Sequence, residues 1–235
     1  MMKTRKQANG YSLVELLLAT VLFTIIAGTV FSLLLSAQLR YRGESDVTAA
    51  FQQANVAIDQ ITRDVHSAGY PPPNSFAAGV AQANPQLVAL PFAWSSGYPN
   101  TPCTMGGTCG SVPGKYDLIL ETDTGDGRGV QWIRYSLNGT TLMRGVTPKT
   151  NGDPVTGPSW TKVLVPYLDN VMNEKQGSAI FSYVYDPASL WQQPSNIREV
   201  NVLLIVQASE QRDPQTQQFR TIELTGQAVR INPND

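Results

Sequence analysis

Hydrophobic and polar positions fall into three regimes along the 235 residues. Residues 16–39 carry no charge and read "LLLATVLFTIIAGTVFSLLLSAQL". At 1.5 Å per residue, a helix of about 24 residues covers about 36 Å, enough for a membrane's hydrocarbon core with some tilt. Beyond Arg42 the apolar residues thin to Val47, Phe51, Ala54, Ile58, Ile61, Val65 and Ala68, in steps of four and three. That spacing is one stripe on a helix, with Gln52, Gln53, Asn55, Asp59, Arg63 and Asp64 on its other faces. No proline occurs between residues 11 and 70, so a single helix is predicted through both regimes. Gly43 is its weak point, since glycine costs about 1 kcal/mol in a helix. "AGYPPP" ends it: Gly69 suits a left-handed cap, and prolines cannot continue the ladder. The stripe spans only three heptads or so and includes two alanines, which favours docking on the chain's own sheet over a coiled coil.

After residue 70 the pattern turns strand-like. "YDLILET" from Tyr116, "VQWIRYSL", "TTLMR", "AIFSYVY" from Ala179, "IREVNVLLIVQA" from Ile197 and "FRTIELTGQAVRI" from Phe219 are strand candidates. Asn138-Gly139 between two of them is a strong hairpin signal, with both residues expected at the turn's central positions. The polar stretch "SEQRDPQTQQ" predicts that the last two strands pair antiparallel. The expected fold is α+β, a long N-terminal helix packed on a mostly antiparallel sheet. Residues 70–114, rich in Pro, Gly, Ser and Asn, read as an insertion with little regular structure, with a short strand at "QLVALPF" as an option. The expected plan is a leader at 1–10, a membrane helix at 11–39, an amphipathic helix at 40–69, the insertion at 70–114 and a sheet body at 115–235.

Charge and composition narrow the chemistry. The net charge is −1 and the 17 basic residues are scattered, which argues against a nucleic-acid surface. With one histidine, His66, and two cysteines, catalytic triads and multi-ligand zinc sites lack the residues they need. His66 has no acid–base partner at a suggestive spacing and reads as a solvated side chain. A carboxylate-pair hydrolase would need two acids converging in a cleft, and nothing in the spacing points to one. No enzyme activity and no cofactor are expected.

Three local groups remain. Cys103 and Cys109 flank two glycines in "CTMGGTC"; if the body is exported, its compartment favours a disulfide between them. Such a bridge pins a local turn and contributes about 2 kcal/mol. Glu121, Asp123 and Asp126 in "ETDTGDGRG" invite a calcium reading, but the spacing does not fit an EF-hand loop. A tight polar turn between strands explains the same residues. Phe92, Trp94 and Tyr98 offer an aromatic surface on the insertion, the weaker alternative to plain packing.

The head of the apolar run decides the reading. Lys3, Arg5 and Lys6 precede it, which keeps the amino end cytoplasmic and exports the rest. Arg40 and Arg42 on the far side oppose this bias, with Glu44 and Asp46 following at once. A secretory signal peptide cut near Ser36 or Ala37 is the ordinary alternative, but its apolar region is usually about 7–15 residues. It would also gain nothing from Glu15, because an acidic residue near the centre of a membrane helix costs about 2.5–3.5 kcal/mol.

"GYSLVELL" resembles the prepilin cleavage and methylation motif of the type IV pilin superfamily. The resemblance implies that a membrane aspartic peptidase cuts after Gly10 and methylates the new amino terminus at Tyr11. It also implies that Glu15 meets the terminal amine of a neighbouring subunit during filament assembly. A carboxylate in an apolar bundle is tolerable where a cation meets it. "AIDQITRDVHSAGY" resembles the helix end of PilW-type minor pilins, and the strand order resembles J-type pseudopilins of type II secretion. The implied partners are the prepilin peptidase/methyltransferase, other pilins or pseudopilins and the inner membrane. Loss of the three leader charges would take the net charge from −1 to −4, so no nucleic acid is expected as a ligand. A tip adhesin on the same scaffold stays open.

Overall fold

The structure, a computed structural model, describes residues 12–92, 114–149, 160–187, 196–212 and 218–231. It is an α+β protein in which a long N-terminal apolar helix continues into a stretch packed on antiparallel sheets. Helix α1 runs without interruption from Leu13 to Ser67. The chain divides into two compact units, Met1–Asp46 and Val47–Asp235, with the division inside this helix. Gly69, at φ 84°, takes the left-handed conformation expected of it, and its N–H donates to the Glu121 carbonyl at 2.8 Å. The helix is therefore stopped and tied to the sheet at the same residue.

In the second unit, β1 (Asp117–Asp123), β2 (Val130–Asn138), β3 (Thr141–Pro148) and β4 (Val165–Leu168) form one antiparallel sheet in sequence order. Strands β5 (Phe181–Tyr185), β6 (Ile197–Arg212) and β7 (Phe219–Val229) form a second. The sheets are stitched by the chain leaving β4. Val171 bridges Val206, while Asn170 and Met172 exchange backbone hydrogen bonds with Gln207 and Ile205. That segment continues the edge of β6 where β5 ends, so the ladder of β6 stays covered. Residues of both sheets join one core with α1. Ile61 and Val65 of the helix, with Ala68 just past its end, share this core with Leu118, Leu120, Ile133, Val202 and Leu204. At Gly226 of β7 the helix comes so close that an added Cβ would lie 2.4 Å from Ile58 Cγ2.

Several details depart from the sequence pattern. The hairpin between β2 and β3 forms, but its central residues are Gly139 and Thr140, with Asn138 paired to Thr141. Gly139 takes φ 62° while Thr140 does not have a positive φ, the pattern of turns that place glycine first. The strands form two sheets instead of one, and β4 is additional to the strand candidates in the sequence. The described part of the insertion holds short turns at Pro73–Ser75 and Pro85–Leu87 and a helical turn, α2, at Val80–Ala83. In place of a strand at "QLVALPF" there is a single bridge from Phe92 to Leu120. Val88, Ala89 and Phe92 are buried, so this segment covers the sheet instead of leaving it.

The stripe on α1 also shifts. Ala54, Ile58, Ile61, Val65 and Ala68 are buried as expected, but Phe51 is 46% exposed. Ala57 and Asp64 are buried in addition. At about 100° per residue, Ala50 falls near the middle of the buried face and Phe51 at its rim.

Candidate functional site

At the amino end the described chain begins at Ser12; Gly10 and Tyr11 lie outside the described residues. Ser12 caps α1. Its Oγ accepts from Val14 N at 3.3 Å, and Glu15 Oε2 reaches back to accept from Ser12 N at 3.0 Å. This is a variant of the Ser-x-x-Glu capping box, with the Ser12 hydroxyl on the N–H of Val14 instead of Glu15, and it satisfies helix N–H groups that otherwise have no partner. Glu15 thus has a local role that the sequence also spells, as "SLVE".

Every residue from Ser12 to Arg42 is exposed. The large side chains among them, from Leu13 and Phe23 to Leu33 and Leu39, show half to three-quarters of their surface. Thr20, Thr24 and Thr29 donate their hydroxyls to the carbonyls of Leu17, Val21 and Ile26 at 2.8–2.9 Å. These three hydroxyls are therefore satisfied without water, as a hydrocarbon surrounding requires. A helix apolar on all faces is a membrane span or the core of a larger assembly. This one is long and apolar enough to cross a membrane.

At the other end of α1, Asp64 enters the core, where sequence had placed it on a polar face. It is 5% exposed. Its Oδ2 accepts from the Tyr135 hydroxyl at 2.5 Å and from Arg144 Nη2 at 2.9 Å, and Oδ1 accepts from Gln60 Nε2 at 2.8 Å. Arg144 Nε donates to the Tyr135 hydroxyl at 2.9 Å, and its guanidinium stands 5.6 Å from the Tyr135 ring centre. Tyr135 lies on β2 and Arg144 opposite it on β3, so one carboxylate of the helix binds two neighbouring strands. Burial, and then the Asp64 charge, push the Tyr135 hydroxyl far above the usual tyrosine range.

That shift has a testable sign. Tyr135 stays protonated when folded, whereas the unfolded side chain loses its proton near pH 10. Its contribution is therefore complete below pH 10 and declines above it, by about 1.4 kcal/mol per pH unit. Urea titrations of the full chain in detergent micelles between pH 9 and 11.5 should show stability falling with pH. Tyr135→Phe should remove that much of the slope and leave the part due to Tyr167, Tyr183 and Tyr185, which burial also raises. An unchanged slope would mean that Tyr135 is open to water.

In comparisons with known proteins, no family model, no curated protein and no solved structure matches this chain. Its chemistry is therefore read from its own side chains.

The three acids considered for calcium have separate tasks. Glu121 is buried and accepts from Lys149 Nζ at 2.5 Å, Trp132 Nε1 at 2.9 Å and Leu90 N at 2.9 Å. Lys149 also donates to the Val88 carbonyl at 2.9 Å. Together these bonds clamp residues 88–90 onto the sheet face that looks away from α1. Asp123 accepts from Gly125 N at 2.8 Å inside the β1–β2 turn. Asp126 accepts from Arg128 N and Gln131 Nε2, and these bonds lower its pKa. No group of three metal-binding side chains occurs among the described residues. The turn reading accounts for Asp123 and Asp126, while Glu121 belongs to a buried ion pair that sequence did not suggest.

A second ion pair lies on the same face. Asp117 accepts from Arg134 Nε and Nη2 at 3.0 and 2.6 Å, and Trp160 stacks on that guanidinium at 5.6 Å. Of the insertion aromatics, Phe92 is buried against β1 and unavailable as an adhesive surface. Trp94 and Tyr98, like Cys103 and Cys109, lie outside the described residues. His66 is half-buried near the end of α1, where its carbonyl accepts from Ile231 N.

Proposed function

We propose that this protein is a membrane-anchored structural subunit of a type IV pilus-like filament, a PilW-type minor pilin or J-type pseudopilin. The observation that carries the reading is one unbroken helix, uncharged and exposed on every face from Leu16 to Leu39, whose carboxyl half docks on antiparallel sheets. With the sequence "GYSLVELL" at its head, this is the layout that a pilin-like subunit requires. A prepilin peptidase removes residues 1–10 and methylates Tyr11. The helix holds the subunit in the inner membrane and then packs among neighbouring helices in the filament. The body lies on the exported side and performs no catalysis; its ion pairs Asp64–Arg144, Glu121–Lys149 and Asp117–Arg134 are structural. Membership of a pilus or of a secretion filament follows from which assembly retains the protein.

The test is the mass of the amino-terminal peptide of protein made in its own host. It should begin at N-methylated Tyr11. A start near Gln38 would identify an ordinary signal peptide and overturn the reading.

A further inference from the structure

Strand edges in this protein are shielded, with one exception among the described residues. Beside β1, Phe92 bridges Leu120, Gly69 N donates to the Glu121 carbonyl and Asp123 N donates to that of Tyr70. Strand β4 is four residues long and holds Pro166, and β5, of five, donates from Phe181 N to the Lys115 carbonyl. Strand β7 is the exception: its eleven residues end the second sheet. Arg230 N donates to the Arg198 carbonyl, so in the β6–β7 register the bonded pairs fall at Val200–Ala228, Val202–Gly226 and Leu204–Leu224. The N–H and C=O of Thr221, Glu223, Thr225, Gln227 and Val229 therefore point away from β6, and among the described residues they have no partner. Of the usual protections of an open edge, β7 has no proline, no lysine and, from Thr221 to Val229, no bulge.

Two side chains flank this edge. Phe51 precedes Ile58 by two turns of α1 on nearly the same line, and Ile58 is the residue that meets Gly226. From Gly226 the strand runs toward His66, whose carbonyl accepts from Ile231 N, so Leu224 and Ile222 lie toward Phe51. Phe51 is half-exposed. On the other face of β7, Glu223 is exposed and makes no ion pair among the described residues. We propose that an extended segment of a different exported chain completes this sheet as a further strand beside β7. Only an extended chain repeats N–H and C=O groups at the spacing the edge presents. The five outward residues supply main-chain bonds, and two side-chain positions select the sequence. One is an apolar residue toward Phe51; the other, on the opposite face, is a basic residue toward Glu223. A second copy does not fit. Two-fold pairing of β7 with itself sets the strands antiparallel, so the two α1 helices would run in opposite directions, which one membrane does not admit. That exclusion rests on the membrane reading above; the open edge does not.

The probe is a fluorescein-labelled peptide of about eight residues that alternates leucine or valine with threonine and carries one central lysine. It is titrated into the full chain in micelles and read by fluorescence anisotropy. The wild type should bind it saturably. Thr225→Pro removes one outward N–H and obstructs the edge while leaving the bonds to β6 intact. It should weaken binding at least about tenfold with an unchanged melting temperature. Glu223→Lys should bind the lysine peptide about fivefold more weakly and prefer, by a similar factor, a peptide with glutamate in its place. Partition into the micelle cannot produce that exchange. Its failure would overturn the proposal, whatever Thr225→Pro does to folding. Full binding by a folded Thr225→Pro would place the peptide off the edge, and no saturable binding by the wild type would leave the edge without a strand to hold. Either result overturns the proposal while the filament reading stands. Wild-type dimers that Thr225→Pro abolishes, seen by light scattering, would make the occupant a second copy and overturn it as well.

Discussion

Replacing Asp64 by alanine should lower the unfolding free energy by about 3–5 kcal/mol, because removal of one partner leaves a buried charge and a buried hydroxyl uncompensated. The Arg144 side chain keeps 24% of its surface exposed, so water relieves part of the penalty and the lower end of that range is expected. Urea unfolding of the full chain in micelles measures it. A second variant separates the ion pair from simple loss of packing. Asp64→Ala with Arg144→Met removes both charges and should recover most of the loss, since apolar replacements of a buried pair are often neutral or better. A cost below about 1 kcal/mol for Asp64→Ala would place the pair in the class of surface salt bridges and remove its role as the anchor of α1. The directional contact matters because the apolar helix–sheet contacts, at Ala54, Ala57, Ile61 and Val65, are small or non-directional, and the other bonds, from Thr122 Oγ1 to the Ser67 carbonyl and from Ile231 N to the His66 carbonyl, engage only the helix's last turn. Asp64 forms side-chain bonds from α1 to both β2 and β3.

What sequence could reveal follows from how local each signal is. The helix, its end at Gly69 and the strand runs depend on neighbours within a few residues, so they were legible. The buried face was legible to within a residue at Ile58, Ile61 and Val65, but the largest apolar residue, Phe51, drew the stripe off its true centre. Asp64 was misplaced for a different reason. A charge next to Val65 reads as polar surface unless its partners are known, and those lie 71 and 80 residues away on β2 and β3. Glu121 misled similarly: its glycine-rich neighbourhood suggested a loop cation, while its actual cation, Lys149, comes from the end of β3, 28 residues on. Strand β4 escaped because "VPYL" is four residues long and contains a proline, which is tolerated only at a sheet edge; β4 is an edge strand. At the amino end the sequence held two meanings of one residue, and only the bond from Ser12 N exposed the second.

Glu15→Gln is the variant that separates those two meanings. Glutamine retains an acceptor for Ser12 N, and capping boxes use Glu or Gln alike, so the helix start should hold. Glu15→Ala removes the bond and should fray the first turn at a cost of about 1 kcal/mol. If Glu15 served only as a cap, glutamine would behave like the wild type in every assay and alanine would show a modest defect. If it also meets a neighbour's terminal amine in an apolar bundle, glutamine leaves that amine buried and uncompensated. Incorporation into filaments should then fall at least about tenfold for both variants, a conservative reading of the penalty for an unpaired buried charge. Cleavage after Gly10 should continue in both, because the same carboxylate is not needed to expose the scissile bond. The measurement is the amount of protein in sheared filaments relative to the membrane fraction, with amino-terminal peptide masses from each. Wild-type incorporation of Glu15→Gln would make the carboxylate a helix cap and nothing more. A loss equal to that of Glu15→Ala, with processing intact, would mean that the charge itself is what the filament reads.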